Sequence, residues 1–393
     1  MQSPLGTPRA AIMAVFAAFG AIFGTFAGSV PQLFTHYGLS NASYGIGITV
    51  MSAATVAAMG LSGRIARHVS HRYLLLAVLP AAWVMLLALF SATWQPLFFL
   101  FAALLGALAG VLDVIMNAEG GAIEVDMKRP VYTAFHGSVS LSLAVFAILS
   151  SILSTEYGAL ASVLAASVAI AVATLMVYTS VEVRQLPSIP QEQAASRRGA
   201  AFTRPLVLIG VAVGLVFVAE LAALLWSSKL LAEAAPELAA LSGLGAAFFG
   251  LCNAIVRFPG DGLRARFGEF RTMRTMLCVA ILGFAGLAAT QTFAANVFFF
   301  AMTGMGLSLL APCLFAMAAR ETPYNRAAGI SVAMLVAGFP RMTSPTLFGA
   351  IAEIASTRFA FGLCAFVLVG SLIAINALAR AKNQSSWPVS GPV

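Results

Sequence analysis

VEVRQLPSIPQEQAASRRGAAFTR (181–204) is the longest polar stretch in a chain of 393 residues. It is rich in Pro, Gln, Ser and Arg, the composition of a flexible linker. On both sides of it the sequence consists of apolar runs of about 20 residues, the length that crosses a bilayer as a helix. Six runs precede it, at 10–34, 43–63, 73–92, 96–119, 131–155 and 158–180. Six follow, at 205–231, 240–262, 272–291, 294–320, 327–352 and 357–380. None shows the period-2 alternation of a barrel strand. The expectation is an all-α polytopic membrane protein of twelve transmembrane helices in two six-helix bundles. One bundle covers 1–180 and the other 205–383, with 181–204 as a cytoplasmic linker and 384–393 as a cytoplasmic tail.

Composition agrees. Sixty per cent of the residues are hydrophobic, 9% are charged, and mean hydropathy is +0.94. A soluble domain carries roughly 25% charged residues, so this chain cannot cover a water-facing surface. The first run is too long for the core of a cleaved signal peptide and is read as a retained helix. The four cysteines lie in apolar runs without paired metal spacing, so neither zinc nor a disulfide framework is indicated. No phosphate-binding or dinucleotide loop is present, so no nucleotide cofactor is expected.

Charge sets the orientation. With both termini cytoplasmic, eighteen of the 22 Lys and Arg residues fall on the cytoplasmic side. Lys229 and Arg358 fall on the other, and Arg257 and Arg341 lie within spans. Basic residues concentrate in cytoplasmic loops. The net charge of +8 is therefore a cytoplasmic girdle facing membrane lipid, not a nucleic-acid patch. The two halves also repeat. Arg67-His-Val-Ser-His-Arg72 follows the second run, and Arg266-Phe-Gly-Glu-Phe-Arg271 follows the eighth, at a constant offset of 199 residues. Matched basic loops in a six-plus-six layout point to parallel repeats about an axis normal to the membrane.

This layout resembles the major facilitator superfamily, and the two basic loops resemble its signature between the second and third helices of each half. The acid usual before the arginine is Ala66 in one half and Ala265 in the other. The segment GVLDVIMNAEGGAIEVDMKRPVYTAFHGSVS (110–140) is similar to the YbjJ-like bacterial branch, and LDVIMN is distantly similar to fucose permease. The resemblance implies a monomeric inner-membrane transporter of a small solute in a bacterium.

A charge at mid-bilayer needs a partner or a task. Gly106, Gly110, Asp113, Asn117, Gly120 and Glu124 step by three or four and share one face of the fourth helix. A carboxyl in that poorly solvated wall can be neutral or anionic near neutral pH, as proton coupling requires. Asp113 is the first candidate and Glu220, in the seventh helix, the second. Arg341 lies mid-span between Pro340 and Pro345. Its planar fork suits a carboxylate or phosphate. It either pairs with Asp113 or Glu220, or meets an anionic substrate together with Asn117. Arg257 and Asp261, spaced i and i+4, read as a local ion pair. They count with Glu124, Arg67 and Arg266 as structural or gating charges. Glu119 reads as part of a solvated cytoplasmic cluster, and His136 as a packing residue or proton shuttle. The glycine stripes of the first, fourth and seventh helices read as packing surfaces that let helices slide or rock, not as ligand sites.

The expected function is proton-coupled secondary transport of a small organic solute, an organic anion where Arg341 meets the substrate, by alternating access. Efflux of amphipathic compounds, sugar–proton symport and a non-transporting sensor are the alternatives. No catalytic constellation or metal site is expected.

Overall fold

A bilayer offers no partner to backbone N–H and C=O groups, so each apolar run must satisfy its own as a helix. The computed structural model describes residues 7–66, 68–128, 131–180, 202–322 and 326–385. Among these, the first half holds α1 (Pro8–Gly28), α2 (Val30–Tyr37), α3 (Asn41–Ile65), α4 (His71–Ser91), α5 (Gln95–Met127), α6 (Tyr132–Glu156) and α7 (Ala159–Ser180). The second half holds α8 (Arg204–Ala234), α9 (Leu244–Arg257), α10 (Gly260–Phe267), α11 (Glu269–Ala289), α12 (Phe293–Leu307), α13 (Leu310–Glu321), α14 (Arg326–Ile354) and α15 (Thr357–Ser385). The expected linker falls almost wholly outside the described residues.

Eleven stretches of the described residues are long and apolar enough to cross a membrane. The twelfth expected span is present as α14, packed against α8 and α3. It is absent from the eleven because Arg341, Pro340 and Pro345 make it more polar. Two expected spans fold as two helices each rather than one, α1–α2 and α12–α13, and the eighth ends with α9 at Arg257, α10 lying largely beyond it. Pro31, Pro259 and Pro312 account for the breaks. A proline lacks the N–H that would bond four residues back, and its ring crowds that carbonyl.

The halves repeat in three dimensions. In the first, α1 packs on α6 and α7, α3 on α5, and α4 on α7. In the second, α8 packs on α14 and α15, α9 on α12, and α11 on α15. These pairs correspond helix for helix, as a parallel repeat requires. The halves meet through two further related pairs, α3 with α14 and α6 with α9.

The glycine stripes lie inside the bundles. Gly24 of α1 stands against the Leu143 carbonyl of α6, and Gly110 of α5 against the Thr55 carbonyl of α3. Small residues let backbones approach this closely. The stripes are thus packing surfaces within each bundle.

Glu119 also departs from expectation. It is 7% exposed, and its Oε1 lies 2.5 Å from Nδ1 of His71, itself 3% exposed. The pair ties the start of α4 to α5. Removing one partner of a buried ion pair or its hydrogen bond leaves the other unsatisfied. Glu119→Leu is therefore expected to destabilise the fold by about 3 kcal/mol, read as a lowered melting temperature in detergent. An unchanged melting temperature would show the pair to be solvated.

Candidate functional site

The seam between the halves is tightest at the end opposite the chain termini. Tyr44 of α3 is fully buried and donates its hydroxyl to the Leu225 carbonyl of α8 at 3.0 Å. Its ring meets Trp226 edge-on at 4.8 Å, and Trp226 lies 4.7 Å from Phe348 of α14. Phe34 of α2 joins this plug, 5.0 Å from Tyr44, with the Lys229 ammonium 4.1 Å above its ring. Lys229 is held by Glu233 at 2.6 Å. The backbone N–H of Asn41, at the start of α3, donates to Glu353 Oε2 of α14 at 2.7 Å. Thr346 Oγ1 donates to Thr49 Oγ1, also at 2.7 Å. Backbone approaches close the rest: Gly45 faces the Pro345 carbonyl, Gly349 the Asn41 carbonyl, and Gly243 the Ala147 carbonyl.

Behind this plug, toward the middle of the membrane, lie Asp113 and Arg341. Asp113 sits near the midpoint of α5 and Arg341 near that of α14, so one comes from each half. Both are partly exposed. The Arg341 charge reaches Asp113, yet the two form no ion pair. Asn117, one turn along α5, donates its amide to Asp113 Oδ1 and to the Asp113 carbonyl, both at 2.8 Å. That bond orients the Asp113 carboxylate. The guanidinium lies over the Phe217 ring of α8, with Cζ 5.0 Å from its centroid. A cation held on an aromatic face keeps its in-plane N–H donors available.

Other expected residues fall elsewhere. Glu220 is one turn from Phe217 on α8 and partly exposed, and it forms no ion pair with Arg341. The static Arg341–Glu220 pair is therefore corrected to an Arg341–Phe217 stack. Arg257 and Asp261 lie on different helices, because α9 ends before Pro259, so the continuous i, i+4 register is lost. Arg257 instead donates its Nε to the Ser308 carbonyl at 3.2 Å, where α12 breaks. The Asp261 side chain and all of Arg67 lie outside the described residues. The His136 ring packs edge-on against Phe16 at 5.3 Å, and the Arg257 charge reaches it from the other half. Glu124 Oε2 accepts the Val131 N–H at 2.9 Å and ties the end of α5 to the start of α6. Arg266 is exposed beside the Phe267 ring.

Three groups were not singled out from the sequence. Glu353 acts on a backbone donor, which leaves no sequence signal. The Tyr44–Trp226–Phe348 plug joins three helices far apart in the chain. Glu269 stands within the second basic loop and accepts from Arg264 at 2.8 Å and from Arg320 at 2.5 Å. An acid flanked by arginines in that loop was the available clue.

Comparisons with known proteins agree with this architecture. The chain resembles an uncharacterized MFS-type transporter of Yersinia pestis, 28% identical over 182 residues. That alignment spans 46% of this chain and 46% of the relative, so the chain matches about half the length of that protein. Among solved structures it superposes on a mutant of the nucleoside transporter NupG with a TM-score of 0.77 at 12% identity, covering 95% of this chain and all of the other. A bacterial homolog of the human lysosomal transporter Spinster, inward-facing and unoccupied, superposes with a TM-score of 0.72 at 12% identity, covering 98% of each chain. The family model described as Major Facilitator Superfamily matches residues 10–301. With two repeated bundles meeting around a facing acid and arginine, the chain belongs to the Major Facilitator Superfamily.

Proposed function

We propose that this transporter couples protons to the movement of a small organic anion by alternating access. Asp113 and Arg341 face each other from opposite halves without being paired, and that observation carries the reading. An arginine locked to a carboxylate would already have its charge neutralised and its fork occupied. Here Phe217 supports the guanidinium, and its fork can take a carboxylate bidentately. Asp113, oriented by Asn117, is the proton site, with Glu220 the second candidate. Protonation of Asp113 leaves Arg341 as the dominant charge at the site, which favours an anion. Proton and anion then bind cooperatively, and a ligand moves the equilibrium only through such differential affinity. Arg257, Asp261, Glu124, Arg67 and Arg266 serve structure or gating, and His136 packing. The positive-inside bias supports cytoplasmic termini in a bacterial inner membrane. The plug then closes the extracytoplasmic side.

Reconstitution into liposomes tests this. Labelled carboxylates, sugars and amphipathic drugs are offered under an imposed proton gradient. Carboxylates are expected to accumulate, and Arg341→Gln to raise their KM more than tenfold. Phe217→Leu removes only the aromatic support and is expected to raise KM about threefold to tenfold. Accumulation of sugars or drugs instead, indifferent to Arg341→Gln, overturns the anion reading.

A further inference from the structure

We propose that the groove between the end of α11 and the start of α15 is a binding site for an anionic glycerophospholipid of the leaflet opposite the chain termini. This inference does not rest on the transport reading. The groove is a cavity of about 380 Å³ lined by Ala288, Arg358, Phe359, Gly362, Leu363 and Phe366, with Ser356 at its mouth. It begins where α15 begins, at the boundary between loop and membrane-spanning segment, and runs down the helix. Phe359, Gly362, Leu363 and Phe366 follow the three-four spacing of one helical face, and two turns of helix extend about 10 Å. Phe359 is 53% exposed and Phe366 75%. Both rings therefore stand clear of the protein, one turn to either side of Gly362 and Leu363 along a channel for an apolar chain. Gly362 keeps its floor open. A Cβ there would stand 3.1 Å from the Ala288 Cβ, and any larger side chain would fill the groove.

At the mouth sits Arg358, one of two Lys and Arg residues on this side among the described residues. The other, Lys229, is neutralised by Glu233 at 2.6 Å and covered by Phe34. Arg358 has no carboxylate within ion-pair distance among the described residues. One Nη1 donor reaches the Leu287 carbonyl at 3.3 Å, which turns the guanidinium over the groove. Four of its five N–H donors remain. A guanidinium with donors to spare, placed where headgroups lie and followed by an apolar channel, is complementary to a phosphodiester with an acyl chain attached. An arginine that merely snorkels to the interface needs neither the carbonyl anchor nor the channel.

The test uses the full-length protein in detergent, stripped of lipid and titrated under native mass spectrometry. The probes are phosphatidylglycerol, phosphatidylcholine with the same chains, and glycerol phosphate alone. One phosphatidylglycerol is expected to bind at least tenfold more tightly than phosphatidylcholine, and glycerol phosphate not at all. Arg358→Gln is expected to lose that preference and Arg358→Lys to keep part of it. The double variant Phe359→Ala, Phe366→Ala is expected to weaken binding severalfold. Because both rings are exposed, its melting temperature without lipid should match the wild type. Equal retention of phosphatidylglycerol by wild type and Arg358→Gln overturns the proposal. So does equal binding of the two lipids. Binding of glycerol phosphate as tight as that of the lipid would make the site one for a free phosphate.

Discussion

Asp113→Asn is expected to abolish proton-driven accumulation of substrate while sparing its exchange across the membrane. Asparagine has the size of the protonated acid and carries no charge. The Asn117 amide, 2.8 Å from Oδ1, keeps an acceptor of the same geometry. The variant therefore sits permanently in the state that the proton would create. Substrate can still bind, cross and return, so counterflow of labelled solute between equal concentrations persists. Net uphill movement cannot, because no proton boards or leaves. A pH step of one unit supports about tenfold accumulation, since 1.4 kcal/mol is a factor of ten. Wild type should approach that ratio, and the variant should stay at one. Continued accumulation by Asp113→Asn refutes the assignment. The same loss in Glu220→Gln, with Asp113→Asn intact, would move coupling to α8.

How far these features could be read in advance depended on whether their cause was local. The spans were legible because the bilayer imposes length and apolarity on each run separately. The alignment of Asp113 with Asn117 was legible because it needs only the pitch of one helix, and the hydrogen bond between them follows from that pitch. Arg341 stood out by its chemistry, but its seat on Phe217 did not, since nothing in one helix reports which ring a neighbour presents. Glu119 was misread for the same reason. Next to Glu124 and Asp126 it looks solvated, and only the approach of α4 buries it against His71. The helix breaks had a local cause in Pro31, Pro259 and Pro312. Only Pro312 was disguised by long apolar runs on both sides.

The closed end offers the second large effect. Gly349→Val is expected to force the halves apart there and to cut transport at least tenfold. Gly349 of α14 faces the Asn41 carbonyl of α3, and Gly45 of α3 faces the Pro345 carbonyl of α14. Both neighbours are backbone, so no side chain can rotate out of the way of an added Cβ. The helices must separate. Separation also breaks the Asn41 N–H to Glu353 bond and the Thr49–Thr346 bond, each 2.7 Å long. Hydrogen bonds to charged groups contribute about 1.5–3 kcal/mol. Moving a two-state equilibrium from one extreme to the other takes about 5.5 kcal/mol. A backbone clash added to the loss of both bonds reaches that scale. Glu353→Gln does not, because it keeps an acceptor and loses only the charge. It is expected to shift the populations about tenfold and leave the cycle running. Spin labels at Ser40 and Ser356, on the two sides of the seam, report the outcome as a distance. The distance should lengthen throughout the Gly349→Val population and in a minority of Glu353→Gln molecules. Substrate affinity should survive in both, since Asp113 and Arg341 are untouched. An unchanged distance with normal transport in Gly349→Val would mean that α3 and α14 are not the elements that close this side.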